Sequence, residues 1–166
     1  MRLSRNTDYS LRILIFLALR EDKLATTSEI ATAYGISRGH LKQLIHRLGR
    51  LGYIETLPGR SGGMLLGMDP SGIRVGELVR RVEDTLALAD CFPDPELAGR
   101  PCLLDGSCPL RAALNAALEA FFRELDQYTV ADLAASPTLP LRGLLRGPTN
   151  VLSRQRTVTV PVSRSV

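Results

Sequence analysis

With 166 residues, 45% of them hydrophobic and none Trp, the chain can bury one core built mainly of Leu, Ile, Val and Ala. Its net charge of +4 is unevenly spread: residues 1–74 carry 11 Lys and Arg against 6 Asp and Glu, residues 75–135 carry 5 against 11, and residues 136–166 carry 5 against 0. The basic N-terminal part suits a polyanion such as nucleic acid, and three cysteines cannot all pair within one chain, which argues against a disulfide-stapled secreted fold and for a reducing cytosol.

Asn6-Thr7-Asp8 predicts a helix start, with Thr7 or Asn6 as the cap, and the helix runs to about Arg20. It is apolar on most sides and should sit centrally. Its run Leu11–Leu19 lacks a small-residue cleavage site and is far shorter than the ~20 residues that span a bilayer, so it reads as a buried helix with no membrane role. Asp8 and Arg12, at i and i+4, share one face. Thr26 and Glu29 have capping-box spacing, a short helix follows from Glu29 to Tyr34, and Gly35 ends it. Ser37 then caps a helix running to about Leu51. Helix, short glycine turn, helix is the helix-turn-helix layout, spanning about 28–51.

On that second helix Leu41, Leu44, Ile45, Leu48 and Leu51 form one stripe. Gly39, Gln43, His46 and Arg50 lie opposite, flanked by Arg38, His40, Lys42 and Arg47. Such a face can sit in a major groove, with Gln43 at an adenine edge and Arg38 on a guanine or a phosphate. A solvated helix face is the plainer alternative for this helix in isolation. Tyr53–Leu57 and Met64–Leu66, joined by a tight turn, predict a β-hairpin wing over about 53–67. Arg60 at its tip, beside Gly62, can reach a minor groove or phosphates. The candidate DNA contacts are therefore Ser28, Arg38, Gly39, His40, Lys42, Gln43, His46, Arg47, Arg60 and Gly62.

Ser71 is expected to cap a helix carrying Val75, Leu78, Val79 and Val82, with Glu83 and Asp84 near its end. Residues 85–108 form a loop broken by Pro93, Pro95, Gly99, Pro101 and Gly106. Pro109 starts the longest helix, on which Leu114, Leu118, Phe121, Leu125 and Tyr128 make a coiled-coil-like seam. Few other elements remain to cover that seam, so residues 109–135 are expected to form a homodimer. A short helix restarts at Thr129-Val130-Ala131-Asp132. Residues 136–166, rich in Pro, Arg, Ser and Thr, read as a disordered tail. The fold class is thus mainly α with a small β-hairpin: a winged helix-turn-helix DNA-binding module over 1–84, a cysteine loop over 85–108 and a long dimerisation helix.

Cys91, Cys102 and Cys108 have ten and five residues between them, and no pair has CxxC spacing. Cys108 stands at a helix start, where an anion is favoured. Three thiolates are one short of the four ligands an iron–sulfur cluster usually takes. The spacing is compatible with a cluster completed by another group, with structural zinc, or with three free thiols.

Several stretches together resemble one family. TDYSLRIL from Thr7, SRGHLKQLIHRLGRLGYIET from Ser37, the wing GRSGGMLL from Gly59, the three-cysteine loop, and LEAFFRELDQYTVADL from Leu118 look like the Rrf-type winged-helix regulators. Within them the chain is most similar to the NsrR nitric-oxide-sensing repressors. The resemblance covers residues 1–135 and implies a homodimer on a palindromic double-stranded operator. It implies an iron–sulfur cluster, 4Fe-4S rather than 2Fe-2S, held by Cys91, Cys102 and Cys108, with Asp8 of the partner subunit as the fourth ligand. It further implies that Arg12 and Glu83 link cluster and helix. The ten residues between Cys91 and Cys102 exceed the family's usual spacing.

The expected function is a cytoplasmic, iron–sulfur-containing transcriptional repressor in which cluster nitrosylation by nitric oxide relieves operator binding. The alternatives are a redox- or iron–sulfur-supply-sensing regulator of the same family, and a non-sensing DNA-binding protein with structural zinc. An enzyme is not expected, because no nucleophile–base pairing is visible and both histidines, His40 and His46, lie on the proposed DNA face.

Overall fold

The computed structural model describes residues 2–20, 23–59, 62–89, 92 and 108–135. Six helices and one hairpin follow in the order α1 (Arg5–Leu19), α2 (Thr27–Tyr34), α3 (Arg38–Arg50), β1 (Ile54–Leu57), β2 (Gly63–Leu66), α4 (Val75–Val82), α5 (Pro109–Leu125) and α6 (Val130–Ala135). The architecture is mainly α with an antiparallel hairpin after a helix-turn-helix, as the sequence predicts.

α1 is the centre of this arrangement. Ile13, Leu14, Phe16 and Leu17 are all buried, and α3, α4, α6 and β2 pack around them. Its start differs from the expectation. The cap is Ser4, whose Oγ accepts from Thr7 N at 3.3 Å, and the helix begins at Arg5. Thr7 is instead fully buried and donates its hydroxyl to Glu83, 76 residues away. The same carboxylate accepts from Ser4 N, 3.2 Å from each oxygen, and from Ser4 Oγ at 3.2 Å. A distant acceptor therefore chooses the cap.

The helix-turn-helix forms from local signals. Thr26 and Glu29 make the capping box, with Glu29 N donating to Thr26 Oγ1 at 3.2 Å and Thr26 N to Glu29 Oε2 at 2.7 Å. Partial burial raises the Glu29 carboxyl, but the Thr26 hydrogen bonds and the ion pair with Arg20 outweigh it and hold it below its ordinary value. Gly35 closes α2 at φ 65°, and Ser37 caps α3 by accepting from His40 N at 3.4 Å. Leu41, Leu44, Ile45 and Leu48 turn inward. In the hairpin Ile54 pairs with Leu66 and Leu57 with Gly63, and Ala25 bridges Met64 on the far edge of β2.

The start of α4 also differs from the expectation. Asp69, not Ser71, is the capping residue, and it closes only a 3₁₀ turn over Pro70–Gly72. α4 starts at Val75 with no side-chain cap. Its first N–H is satisfied by the Tyr128 carbonyl at 2.9 Å, while Val130 N donates to the Ile73 carbonyl at 3.0 Å. The chain before α6 thus replaces the cap. α6 then lies on α1, and Val130 joins the core of the helix-turn-helix with no exposure, so that core draws on residues well beyond 84.

α5 packs on α4. Phe122, outside the predicted seam, is the buried contact to Val75 and Val79, while the seam residues Leu118, Phe121 and Leu125 are half-buried around it. Asp126, at the end of α5, takes both Nη atoms of Arg80 at 2.9 and 2.7 Å, and its backbone carbonyl accepts from Arg74. Gly76 is required here: an added Cβ would sit 2.8 Å from the Asp126 Cγ. Leu110 and Tyr128 remain exposed. No helix among the described residues is long and apolar enough to cross a membrane.

Candidate nucleic-acid interface and cysteine segment

The stripe of α3 that faces α1 leaves the opposite face in solvent. Arg38, Gly39, Lys42, Gln43, His46 and Arg50 are exposed there, and Ser28 is exposed on the first turn of α2. Among the described residues Arg38, Lys42 and Arg50 enter no ion pair. Arg50 was not among the predicted contacts, although Gly39, Gln43, His46 and Arg50 recur at helical spacing and place it on the same face. A face carrying cations, an amide and a glycine that leaves room for close approach can read base edges and neutralise phosphates.

Two predicted contacts lie on one flank and are engaged by the protein. His40 is half-buried with its ring edge-on to Tyr9 of α1, centroids 5.3 Å apart at 84°, and its buried Nε2 has no hydrogen-bond partner. Arg47 donates from Nη1 to Asp84 Oδ1 at 2.9 Å and from Nη2 to the Arg81 carbonyl at 3.2 Å. Neither partner was visible in the sequence, because Tyr9 and Asp84 meet α3 only through the tertiary fold.

Gly62 lies in the hairpin connection, where an added Cβ would run into the Leu57 carbonyl oxygen and sit 2.9 Å from that of Gly59. Its hydrogen atom is therefore a requirement of the turn itself. Arg60 lies outside the described residues.

Of the cysteine constellation, Cys91 and Cys102 lie outside the described residues. Cys108 is the N-cap of α5, half-buried, in no disulfide and making no side-chain cap bond. Asp8, in the first turn of α1, pairs with Arg12 at 3.0 Å, both side chains being about half exposed, 47% and 46%. Among the described residues no three His, Cys, Asp or Glu side chains come together as a metal site. A free thiol at the positive end of a helix and an accessible carboxylate are donors that an iron–sulfur cluster accepts. Glu83, the other predicted coupling residue, holds the start of α1 through Ser4 and Thr7.

The model of the Rrf2 family, described as iron-dependent transcriptional regulators, matches residues 3–136. The chain is 47% identical over 134 residues to the HTH-type transcriptional regulator NsrR of Bacillus subtilis (strain 168), covering 80% of this chain and 90% of that one. It is 46% identical over 147 residues to the NsrR regulator of Geobacillus kaustophilus (strain HTA426), covering 88% and 97%. The structure of CymR (YrzC), the global cysteine regulator of B. subtilis, superposes with a TM-score of 0.66 at 26% identity, covering 81% of this chain and 97% of that one.

Proposed function

This chain belongs to the Rrf2 family of transcriptional regulators, and on that premise we propose that it is a homodimeric, cytoplasmic repressor that carries an iron–sulfur cluster and releases its operator in response to nitric oxide. Its relatives are transcriptional regulators rather than enzymes, in keeping with the absence of a nucleophile–base pair from the sequence. The observation that carries the DNA-binding part is the exposed face of α3 with Arg38, Lys42, Gln43, His46 and Arg50, set on a core that leaves the helix free to enter a major groove.

Cys91, Cys102 and Cys108 would hold the cluster, with Asp8 of the partner subunit as the fourth ligand. When bound, the cluster would supply iron able to react with nitric oxide. Everything else is done by the chain. Asp8, which pairs with Arg12 in this structure, would as a ligand join α1 of one subunit to the cysteine segment of the other. That tie fixes the separation of two α3 helices, which must match half-sites about 34 Å apart. Without that tie Asp8 would keep its pairing with Arg12, the two modules would lose their register and affinity would fall.

Support comes from the NsrR relatives at 46–47% identity and from Cys108 and Asp8 being available donors. The test is anaerobic purification, an absorption spectrum and iron count, then operator binding as nitric oxide is added. Absorbance near 400 nm and a fall in affinity as the cluster reacts are expected. Unchanged affinity after the cluster has reacted refutes the sensing role, and a colourless zinc protein refutes the cluster.

A further inference from the structure

The C-terminal end of α4 carries two consecutive carboxylates that grip two different helices. Glu83 holds the first turn of α1 through Ser4 and Thr7, and Asp84 holds Arg47 of α3 at 2.9 Å. The Arg81 carbonyl takes the other Nη of Arg47 at 3.2 Å, so the guanidinium is spanned between a side chain and the backbone of one short segment. The cysteine segment begins at the next residue, Thr85. The recognition helix is therefore tied, through Arg47, to the place where the cysteine segment leaves the fold.

We propose that Arg47 is a positioning residue: its tie to Asp84 and the Arg81 carbonyl sets the seat of α3 against the start of the cysteine segment, and operator affinity depends on Arg47 through that seat rather than through a phosphate. Three observations support this. Both Nη atoms are engaged, so delivering Arg47 to a phosphate would break two hydrogen bonds and leave Asp84, a negative charge, close to the DNA. Arg47 lies on the flank that also carries His40, which contacts Tyr9 of α1, so this side of α3 faces the protein's own elements. On the opposite flank and outward face Arg38, Lys42 and Arg50 enter no ion pair among the described residues, which leaves them available to phosphates. The proposal rests on the repressor reading above for its operator, and on the fold alone for the tie.

The test uses the full-length, anaerobically purified protein with Arg47→Ala, Asp84→Ala, the double variant, the exchanged pair Arg47→Asp with Asp84→Arg, and Lys42→Ala as the phosphate control. Binding to operator and to a scrambled duplex is measured across salt. Arg47→Ala and Asp84→Ala should each lower the operator-to-scrambled ratio about two- to five-fold, the span expected of an exposed pair. The double variant should be no worse than either single one, and the exchanged pair should recover part of the ratio. The salt slope of Arg47→Ala should stay that of the wild type, while Lys42→Ala lowers it by about one unit.

A slope reduced by about one in Arg47→Ala, or tighter operator binding by Asp84→Ala, overturns the proposal. So does a lowered melting temperature with an unchanged ratio, because the tie would then only stabilise. Hydrogen exchange on the DNA-free protein separates the two readings: Asp84→Ala should speed exchange in the last turn of α3, and unchanged protection overturns the tie whatever the DNA result. A wild type with no operator preference refutes the repressor reading alone.

Discussion

Glu83→Ala should destabilise the protein by about 2–4 kcal/mol. The carboxylate accepts from Thr7 Oγ1, from Ser4 Oγ at 3.2 Å and from Ser4 N at 3.2 Å to each oxygen. Thr7 is fully buried, and its hydroxyl would be left without that acceptor, at a cost of about 1–3 kcal/mol. The Ser4 groups are only half-buried and can turn to water, so they add a fraction of that. A negative charge beside the first turn of α1 contributes about 0.3–1 kcal/mol through the helix dipole. Glu83→Gln keeps an acceptor oxygen of the same reach and loses the charge, so it should cost about 1 kcal/mol. Urea unfolding measures both: the midpoint should fall with the slope unchanged, and the melting temperature of Glu83→Ala should drop by about 5–12 °C. A Glu83→Ala midpoint equivalent to within about 0.5 kcal/mol of wild type would show that the start of α1 is held by something else.

Gly76→Ala should cost about 1–3 kcal/mol, the reverse of the usual gain from alanine in a helix, because its Cβ would press on the Asp126 carboxylate; a stabilised variant in thermal unfolding would contradict that packing. Gly39→Ala has open space around its Cβ and should stabilise α3 by about 0.5–1 kcal/mol while weakening operator binding, whereas improved stability with unaltered binding would remove Gly39 from the DNA face. The Arg80 hydrogen bonds hold the Asp126 carboxyl below its ordinary value of 3.8, and a depressed carboxyl contributes stability above that pH and loses it as pH falls through the lowered value. Asp126→Asn should therefore narrow the gap to wild type below about pH 4, and an unchanged acid limb in urea titrations between pH 2 and 6 would refute the pairing.

Signals that act within one turn were legible. Thr26 with Glu29, Gly35, Ser37 and Pro109 each satisfy or spare a backbone group a few residues away, and the structure uses all of them as read. The stripe of α3 and the hairpin behind it were equally local. The misplaced starts of α1 and α4 have one cause. Ser4 serves as cap where Glu83 gathers it with Thr7, and α4 needs no cap where the Tyr128 carbonyl meets Val75 N. Both partners are more than 50 residues away, beyond any capping pattern. The heptad reading of α5 favoured Phe121, yet Phe122 is the side chain that reaches Val75 and Val79, with the Arg80 guanidinium 4.2 Å above its ring. In the candidate site the outward face of α3 was legible from periodicity. The engagement of His40 and Arg47 was not, because side-chain chemistry alone cannot tell a cation held by its own fold from one held out to DNA.

The distribution of binding energy over α1 indicates which part of it can answer a signal. Ile13, Leu14, Phe16 and Leu17 are buried on several sides, and at about 2 kcal/mol each they fix the body of the helix by roughly 8 kcal/mol. Couplings between sites in regulatory proteins are commonly about 1–3 kcal/mol. A signal of that size cannot extract the body of α1 from a close-packed core, but it matches the hydrogen bonds that hold its first turn. That turn contains Asp8, rests on Glu83 through Ser4 and Thr7, and is followed at once by Tyr9 against His40 of the recognition helix. Glu83 holds that turn and the adjacent Asp84 holds Arg47 of α3, at the point where the cysteine segment departs. If Asp8 takes the proposed role, a change there should be absorbed by rearrangement of residues 4–9 and 81–84, with the core unmoved and α3 shifted from its flank. Hydrogen exchange should show this as loss of protection confined to those residues and the flank of α3, while Ile13 to Leu17 stay protected when the signal is applied.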